Sequence, residues 1–385
     1  MLINLKSTVK TKSNPFHGGN EYVNRVVSKL LETTEYKKDI KLYFLVNSKA
    51  KNIPDYLQKY QKSAHVFIVD GEIIEVIKKF NIDRLYDPLA YTLGENDFSS
   101  VDVDVFMTIH GIRPLEMPTD IGEFYLGNKK KYILKTIFAN CYYNRKKALF
   151  EKAINIKSRN KKIFVVSNHS KNSVVSHLSV DKSEMKVFYS PEKLYPKITD
   201  EDETSFFDTY SNINRQRYFL LVSTKRWIKN TYRALLAIDE LAKQGLLKHK
   251  VVLTGVSDKI RKWVKNKDYY MALDYVETKD LEILYKNAYA LLYPSLNEGF
   301  GYPPVEAMKY GTPVIASAIC SIPEVCGDAA LYLNPHHVYE IKTRILQMQD
   351  SKSKEYYSKK SLERYPIINK KQRDDLEAIV QEIIG

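Results

Sequence analysis

The sequence predicts an α/β protein with two domains, on three observations. Short apolar runs alternate with segments of helical periodicity along the whole chain, a pattern typical of strands covered by helices. The chain has 385 residues, more than one hydrophobic core usually supports. Its hydrophobic content of 44% is sufficient for two cores.

Eight apolar runs are predicted to be strands, four in each half of the chain. They are KLYFLV near Lys41, HVFIV near His65, DVFMTIH ending at His110, KIFVVS ending at Ser167, YFLLVS ending at Ser223, VVLTG ending at Gly255, YALLYP ending at Pro294 and PVIAS ending at Ser317. Residues 186–216 between the two sets are irregular and contain Pro191, Pro196 and an acidic run. The predicted organisation is therefore a domain at 1–190, a linker at 191–215, a domain at 216–360 and a C-terminal helix within 361–385.

Cysteine content and hydropathy indicate where the protein works. The three cysteines, Cys141, Cys320 and Cys326, are odd in number, and the spacing of the last two fits neither a zinc site nor a disulfide framework. The N-terminal residues MLINLKSTVKTK lack the apolar core of a signal peptide, and no run of about 18 apolar residues occurs. We expect a cytoplasmic protein that is soluble or peripheral to a membrane.

Residues 289–311 carry the most informative motif. The run YALLYP predicts a buried strand, Gly299 and Gly301 allow the following loop to approach a ligand closely, and Pro303 and Pro304 open a helix. In a parallel sheet this order places backbone N–H groups at the carboxyl edge of a strand, where anions such as a diphosphate bind. The sequence therefore predicts a site for a phosphorylated ligand.

Two carboxylates frame this glycine loop. Glu306 is predicted in the first turn of the helix, where a carboxylate can accept two hydrogen bonds from a vicinal diol such as a ribose. Glu298, eight positions earlier, can reach another part of the same ligand. The alternative is an ordinary strand and helix joined by glycines, with Glu306 as a helix charge.

The string EGFGYPPVE resembles the E-x7-E motif of retaining, nucleotide-sugar-dependent glycosyltransferases of family 4, which have the GT-B fold. The flanking residues, from YVETKDLEILYKNAYALLYPSLN to GTPVIASAICSIPEVCGDAALYLNP, are similar to that family as well. The resemblance implies two Rossmann-like domains around a cleft, with a C-terminal helix that crosses back to the first domain. It implies a nucleoside diphosphate sugar as donor and no metal. In this family's pattern Gly299, Phe300, Gly301 and Glu306 bind the donor, while Glu298 orients the transferred sugar and supports positive charge at its ring.

The first half contains two weaker elements. Gly18 and Gly19 precede residues of helical spacing and resemble the family's N-terminal glycine loop, which faces donor phosphate and acceptor; the alternative is a simple turn. The stretch before them, from Leu5 to Phe16, is longer and more polar than is usual in the family. The string T-x-H-G-x-x-P at His110 is similar to the family's T-x-H-D-x-x-P, with Gly111 replacing the acid. His110 is predicted to bond a sugar hydroxyl or the acceptor, or, alternatively, only the backbone.

A basic loop follows the first strand of the second half. In STKRWIKN, Asn230 is predicted to cap the next helix, which leaves Arg226 and Lys229 at the carboxyl edge of the sheet. Such a pair would stabilise the negative charge that develops on a departing diphosphate. As an alternative, both are ordinary surface charges.

The net charge of +14 is concentrated in one region. Between Gly127 and Lys162 lie twelve Lys or Arg residues against the single acid Glu151, interleaved with apolar residues. We predict an amphipathic basic helix that contacts an anionic membrane, or alternatively a helix that covers the sheet with solvated lysines. The predicted membrane patch consists of Lys129, Lys130, Lys131, Lys135, Arg145, Lys146 and Lys147.

The sequence thus predicts a retaining glycosyltransferase that moves a hexose-type sugar to a cell-envelope polysaccharide or a lipid-linked saccharide, on the inner face of the cell membrane. The catalytic set is predicted as Glu298, His110, Arg226 and Lys229. No metal or other cofactor is expected, because the only D-x-D string considered, Asp102-x-Asp104, precedes a strand of the first half. The alternatives are a GT-B sugar phosphorylase or epimerase, or a non-catalytic protein that binds an anionic ligand. Nucleic acid is not an expected partner, since no known nucleic-acid motif accompanies the basic residues.

Overall fold

The structure is a computed structural model that describes residues 1–6, 8, 18–35, 39–47, 54–60, 63–264, 266 and 268–385. It contains two compact units. The first unit comprises Met1–Leu115, Tyr143–Leu194 and Lys370–Gly385, and the second comprises Glu116–Tyr142 and Tyr195–Asn369. Three parts of the chain fall elsewhere than their predicted boundaries: residues 116–142 lie in the second unit, the predicted linker at 191–215 is divided between the units after Leu194, and residues 361–369 lie in the second unit.

The first unit is built on a parallel sheet. Within its described residues the strands are β1 (Leu2–Asn4), β2 (Leu42–Leu45), β3 (Val66–Val69), β4 (Arg84–Asp87), β5 (Asp104–Ile109), β6 (Asn160–Val165) and β7 (Met185–Val187). Their order in the sheet is β3-β2-β1-β4-β5-β6-β7, and every neighbouring pair is parallel.

The second unit has the same architecture. Its described strands are β8 (Tyr218–Leu221), β9 (Lys250–Leu253), β10 (Tyr270–Ala272), β11 (Ala290–Tyr293), β12 (Val314–Ser317) and β13 (Ala330–Leu333), in the parallel order β10-β9-β8-β11-β12-β13. This order reverses between β8 and β11, as in a doubly wound Rossmann sheet. The α/β fold class and the eight predicted strands are confirmed.

Helices connect the strands of both sheets. The described α-helices are α1 (Gly18–Thr34), α2 (Asp55–Gln58), α3 (Ile73–Phe80), α4 (Arg113–Glu116), α5 (Ile121–Tyr125), α6 (Lys129–Ile137), α7 (Ala139–Ile154), α8 (Asn168–His177), α9 (Asp200–Thr209), α10 (Thr231–Lys243), α11 (Asp258–Trp263), α12 (Thr278–Asn287), α13 (Tyr302–Met308), α14 (Ile322–Cys326), α15 (Val338–Met348) and α16 (Ser351–Ile384). The helix predicted within 361–385 begins earlier, at Ser351, and its residues from Lys370 onward belong to the first unit. None of these helices is both long and apolar enough to cross a membrane.

Strands β8 and β11 of the second sheet are apolar and buried at every position because both faces of the sheet are covered. Along β8, Phe219 and Leu221 pack into one cluster, with α10 and α15, while Tyr218 and Leu220 pack into the other. Alternate residues of a strand point to opposite faces, so a strand buried on both faces shows an unbroken apolar run. That is the signal by which the sequence predicted β8 and β11.

Five strands were not predicted: β1, β4, β7, β10 and β13. Three of them have three or four residues with a charged or polar member, which interrupts the apolar run. In β4, the buried carboxylate of Asp87 accepts a hydrogen bond at 2.7 Å from the side-chain amide of Asn4 in β1. Burial raises the pKa of Asp87 to about 6.

A buried histidine makes the stability of the second unit depend on pH. The ring of His249 stacks on Tyr289 with 3.8 Å between ring centroids, and burial lowers its pKa to about 4. In the unfolded chain the His249 ring binds a proton near pH 6.5, whereas in the folded unit it binds one only at about pH 4. The free energy of unfolding therefore decreases as the pH falls from about 6.5 towards 4. Relative to His249→Phe, we expect the wild-type protein to lose about 2 kcal/mol over that range.

Urea unfolding followed by tryptophan fluorescence measures this difference, because both tryptophans, Trp227 and Trp263, lie in the second unit. Carboxylates elsewhere titrate equally in both proteins and cancel in the comparison. The expectation is wrong if the free energies of unfolding of the two proteins fall in parallel between about pH 7 and about pH 4. The ring of His249 would then bind its proton in the folded protein at no cost in stability.

Candidate active site

The candidate site of the second unit lies where the strand order reverses. After β8 the chain continues to β9 on one side of the sheet, and after β11 it continues to β12 on the other side. The loops that leave β8 and β11 therefore start side by side at the carboxyl edge, which is where open parallel sheets bind their ligands. The first loop carries Arg226 and Lys229, and the second carries Glu298.

A buried ion pair joins the two loops. Lys229 Nζ donates a hydrogen bond to Glu298 Oε1 at 2.6 Å and another to the hydroxyl of Tyr293 at 2.7 Å. Ser295 Oγ donates to the same carboxylate oxygen. The side chain of Lys229 is 7% exposed and that of Glu298 is 15% exposed, so both charges are largely removed from water.

The charges of this cluster control each other's protonation. Burial by itself would raise the pKa of Glu298, but the positive charges of Lys229 and Arg226, with hydrogen bonds from Lys229 and Ser295, hold this pKa below its ordinary value. Burial lowers the pKa of Lys229, and the Glu298 charge opposes that shift. Arg226 itself is exposed to solvent. The cluster thus combines one fixed carboxylate, one buried cation and one accessible cation.

The side chain of Ser321 anchors the backbone of the glycine loop after β11. Its hydroxyl is within 2.9 Å of the carbonyl oxygens of both Glu298 and Phe300, and Phe300 is buried. Gly301 has φ of +98°, a conformation that side chains with a Cβ rarely adopt. Gly299 lies between these anchored residues, so the loop backbone is fixed at several consecutive positions.

Glu306 lies farther along α13 than the sequence analysis expected. The helix begins at Tyr302, one residue before the two prolines, so Glu306 is its fifth residue and the first-turn placement is wrong. The side chain is buried, and Oε1 accepts a hydrogen bond from the hydroxyl of Tyr195 at 2.8 Å. Burial, followed by the Glu306 charge, raises the pKa of Tyr195 well above its ordinary value.

Sequence reasoning missed several residues of this cluster. Tyr293 and Ser295 flank the predicted strand end but carry no motif signal of their own, and Ser321 was noted only as part of a similar string. Tyr195 lies in the stretch treated as a linker, more than one hundred positions before Glu306 in the chain. Only the folded chain brings it to α13.

Asn230 does not cap α10 in the expected way. It occupies the N-cap position with φ of +58°, but no cap hydrogen bond is made by its side chain. Its amide nitrogen instead donates to the carbonyl oxygen of Pro335 at 2.7 Å, and Arg233 donates to its amide oxygen at 3.1 Å. The prediction of a capping side chain is therefore wrong, while the loop position of Arg226 and Lys229 stands.

The candidate residues of the first unit lie at two strand ends. Gly18 and Gly19 begin α1, and the preceding Phe16 and His17 lie outside the described residues. His110 follows β5, with Nε2 2.9 Å from the carbonyl oxygen of Pro88 and its ring edge-on to Tyr22. This contact involves one of the two ring nitrogens of His110, and the predicted contact with a sugar or acceptor stays a prediction.

The predicted membrane patch is divided by the structure. Lys129, Lys130 and Lys131 are exposed at the start of α6, but Lys135 is buried and paired with Glu123 at 2.8 Å. Lys135 is therefore not part of an exposed basic surface, because its charge is neutralised inside the second unit. On α7, Arg145 is exposed while Lys146 and Lys147 are half-buried, and these three residues belong to the first unit.

Acidic side chains do not cluster as metal ligands in the part of the chain that the structure describes. Asp102 and Asp104 each contact Arg159, at 3.1 and 2.8 Å. The three cysteines are free thiols: Cys141 is exposed, Cys320 is half-buried and Cys326 is buried.

Comparison with known proteins places this geometry in context. Residues 203–364 match the family model described as glycosyl transferases group 1. The chain is 28% identical over 231 residues to O-antigen chain mannosyltransferase RfbU of Salmonella typhimurium strain LT2. The aligned residues make up 60% of this chain and 56% of that protein. It is 35% identical over 155 residues to O-antigen chain mannosyltransferase B of Escherichia coli, over 38% of this chain and 41% of that one. The chain thus spans about half the length of these curated relatives.

Two solved structures share the whole fold. WaaG, a glycosyltransferase involved in lipopolysaccharide biosynthesis, superimposes with a TM-score of 0.67 at 14% identity, over 100% of this chain and 99% of that one. Anabaena Alr3699/HepE in complex with UDP and glucose gives a TM-score of 0.67 at 13% identity, over 100% and 98%. At such identities the likeness establishes the fold, which is the two-domain GT-B arrangement of Rossmann-like sheets.

Proposed function

We propose that this chain, which carries a glycosyl transferase group 1 domain on a GT-B fold, is a retaining glycosyltransferase. In this proposal it transfers a hexose-type sugar from a nucleoside diphosphate sugar to a cell-envelope polysaccharide or a lipid-linked saccharide. The observation that carries it is the buried pair of Lys229 and Glu298 beside the exposed Arg226, at the point where the strand order of the second sheet reverses.

The cations are assigned to the donor diphosphate. When the bond to the sugar breaks, negative charge develops on the departing phosphate, and a cation fixed in advance stabilises that charge more than the ground state. The Lys229 ammonium carries three N–H groups, of which Glu298 and Tyr293 accept two. We assign the third to a phosphate oxygen, with Arg226 as the second cation.

The carboxylates are assigned to the two ends of the donor. Glu306 would accept hydrogen bonds from the ribose hydroxyls, for which its contact with Tyr195 already fixes one carboxylate oxygen. Glu298 would orient the sugar and support positive charge at its ring, since its depressed pKa keeps it ionised at neutral pH. Gly299, Phe300 and Gly301 would line the donor between them.

The remaining partners are proposed from the relatives and the resemblance. Both curated relatives are named as O-antigen chain mannosyltransferases, so mannose is the first sugar to test and a growing polysaccharide the first acceptor. Gly18, Gly19 and His110 of the first unit are proposed to contact donor phosphate and acceptor. We further propose that the protein acts in the cytoplasm, at the inner face of the membrane, without a metal ion.

A thermal-shift screen followed by a transfer assay tests this function. We expect one of UDP, GDP, ADP, dTDP or CMP to raise the unfolding temperature of the purified protein by several degrees, because a ligand that binds only the folded state stabilises it. The matching nucleotide sugar should then be consumed in the presence of membrane lipid extract, with EDTA as the control for metal dependence.

Three outcomes would contradict the proposal. Turnover that requires inorganic phosphate would indicate a phosphorylase, and conversion of the nucleotide sugar without transfer would indicate an epimerase. Nucleotide binding without any turnover would indicate a non-catalytic binding protein.

A further inference from the structure

The side chain of Tyr195 is held at two places in the second unit. Its hydroxyl donates to Glu306 Oε1 at 2.8 Å, and the Nζ atom of Lys309 lies 4.3 Å from the centroid of its ring. A cation over the face of an aromatic ring is attracted by the negative charge of that face. The buried carboxylate and the cation therefore fix the direction in which the Tyr195 hydroxyl meets Glu306.

A second carboxylate fixes the position of Lys309. Glu282 of α12 is 1% exposed, and its Oε2 atom accepts hydrogen bonds from Lys309 Nζ at 2.8 Å and from the hydroxyl of Tyr310 at 2.6 Å. Lys309 is the C-cap residue of α13, the helix that carries Glu306. Its ammonium group thus lies between one carboxylate and one aromatic ring, and we call Glu282 and Lys309 together the tyrosine clamp.

The other oxygen of Glu282 indicates that the tyrosine clamp does not serve stability alone. Glu282 Oε1 is buried and makes no hydrogen bond with the residues that the structure describes. A buried carboxylate oxygen without a donor lowers the free energy of unfolding. An apolar pair would join α12 to α13 without that cost. The arrangement is better explained by the contact that Lys309 makes with Tyr195.

We propose that Glu282 and Lys309 are positioning residues of the nucleotide site, which act through Tyr195 on Glu306. This inference rests on the proposed function, in which Glu306 accepts hydrogen bonds from the ribose hydroxyls. A carboxylate whose orientation is fixed before the nucleotide arrives loses less conformational freedom on binding, so the complex is tighter. The affinity for the nucleotide then depends on two residues that do not contact it.

A cycle of single and double variants tests the proposal by nucleotide affinity. Lys309→Met removes the cation, and we expect it to weaken binding about fivefold because the ring of Tyr195 is no longer held. Tyr195→Phe should weaken binding about tenfold, because the hydroxyl that fixes Glu306 is lost. In the Tyr195→Phe background, Lys309→Met should have almost no further effect, since it acts through the missing hydroxyl. Isothermal titration with UDP, GDP and ADP measures the dissociation constants.

A second lysine of the same unit provides the matched control. Lys286 also pairs with a buried carboxylate, that of Glu203, but this pair joins α9 to α12. Lys286→Met should lower stability while the dissociation constant stays near wild type. Lys309→Arg keeps a cation for both Glu282 and the ring and should restore most of the affinity, whereas Glu282→Gln should weaken binding as Lys309→Met does. The kcat at saturating donor should change little in these variants, because the tyrosine clamp acts on binding.

Other outcomes would overturn the inference. If Lys309→Met weakens binding equally with and without the Tyr195 hydroxyl, the lysine acts on the nucleotide directly through its charge. Equal losses of affinity in Lys309→Met and Lys286→Met would assign the effect to general stability. Unchanged affinity in Lys309→Met would exclude the tyrosine clamp while the proposed function stands. A wild-type protein that binds none of these nucleotides would contradict the proposed function, and this inference with it.

Discussion

Replacement of Lys229 by methionine is expected to lower the free energy of unfolding of the second unit by about 3 kcal/mol and to abolish sugar transfer. The substitution leaves the Glu298 carboxylate buried with its hydrogen bond from Ser295 but without the cation that forms its 2.6 Å contact. Breaking a buried pair from one side is costly because the remaining carboxylate keeps only the exposed Arg226 and the Ser295 hydrogen bond to offset its burial. Urea unfolding by tryptophan fluorescence at neutral pH measures the loss.

The double variant Lys229→Met with Glu298→Gln separates stability from chemistry. It removes both charges, so most of the lost stability is expected to return, while transfer stays absent because the proposed phosphate and sugar contacts are both gone. A double variant no more stable than Lys229→Met alone would show that the single substitution acts through packing around Tyr293 and not through an uncompensated charge.

The pH dependence of the free energy of unfolding tests the same ion pair independently. In the wild-type protein the pKa of Glu298 is lowered, so its contribution to stability is present at neutral pH and is lost as the pH falls through that lowered value. Without Lys229, burial dominates and should raise this pKa above its ordinary value. Protonation then favours the folded variant, and the stability gap to wild type should narrow as the pH falls.

Sequence patterns predicted the parts of the fold in which burial is complete. β8 and β11 are apolar at every position since both faces of the sheet are covered. The glycine loop could be recognised from the sequence because Gly301 has a positive φ, which favours glycine. β4 escaped prediction because its last residue, Asp87, is buried by pairing with Asn4 and not by being apolar. A hydropathy pattern does not record a polar residue whose partner lies elsewhere in the chain.

The same limit explains what was missed about α5 and α6. Periodicity predicted a basic helix but not that it packs against α5. Asp120, just before α5, pairs with Arg233 of α10 at 2.8 Å, and Lys135 pairs with Glu123, so two ion pairs fix this segment within the second unit. A lysine that turns inward to a carboxylate has the same sequence signature as a lysine in water. Only the structure shows that α6 exposes its apolar side.

Substitution of the two site carboxylates is expected to give different kinetic losses. Glu306→Ala should weaken nucleotide binding by roughly tenfold to a hundredfold, because in the proposed complex the ribose hydroxyls lose a buried acceptor that Tyr195 holds in place. Glu298→Gln should lower kcat by about a hundredfold with little change in KM, since in the proposed mechanism its charge acts mainly when positive charge develops on the sugar ring. Isothermal titration with the nucleotide and initial-rate kinetics measure the two quantities.

The matched control is Glu203→Gln. Glu203 is likewise a buried carboxylate of the second unit, but it accepts hydrogen bonds from Lys286 and Asn287 between α9 and α12, outside the glycine loop. Its loss should cost stability while nucleotide affinity and kcat stay near wild type, so it reports what removing any buried carboxylate does. If Glu306→Ala and Glu298→Gln both lose affinity and turnover to the same degree, the two carboxylates act as one unit. The assignment of Glu306 to the nucleoside and Glu298 to the sugar would then be wrong, because a residue acting only on the ground-state nucleoside leaves the chemical step of the bound complex intact.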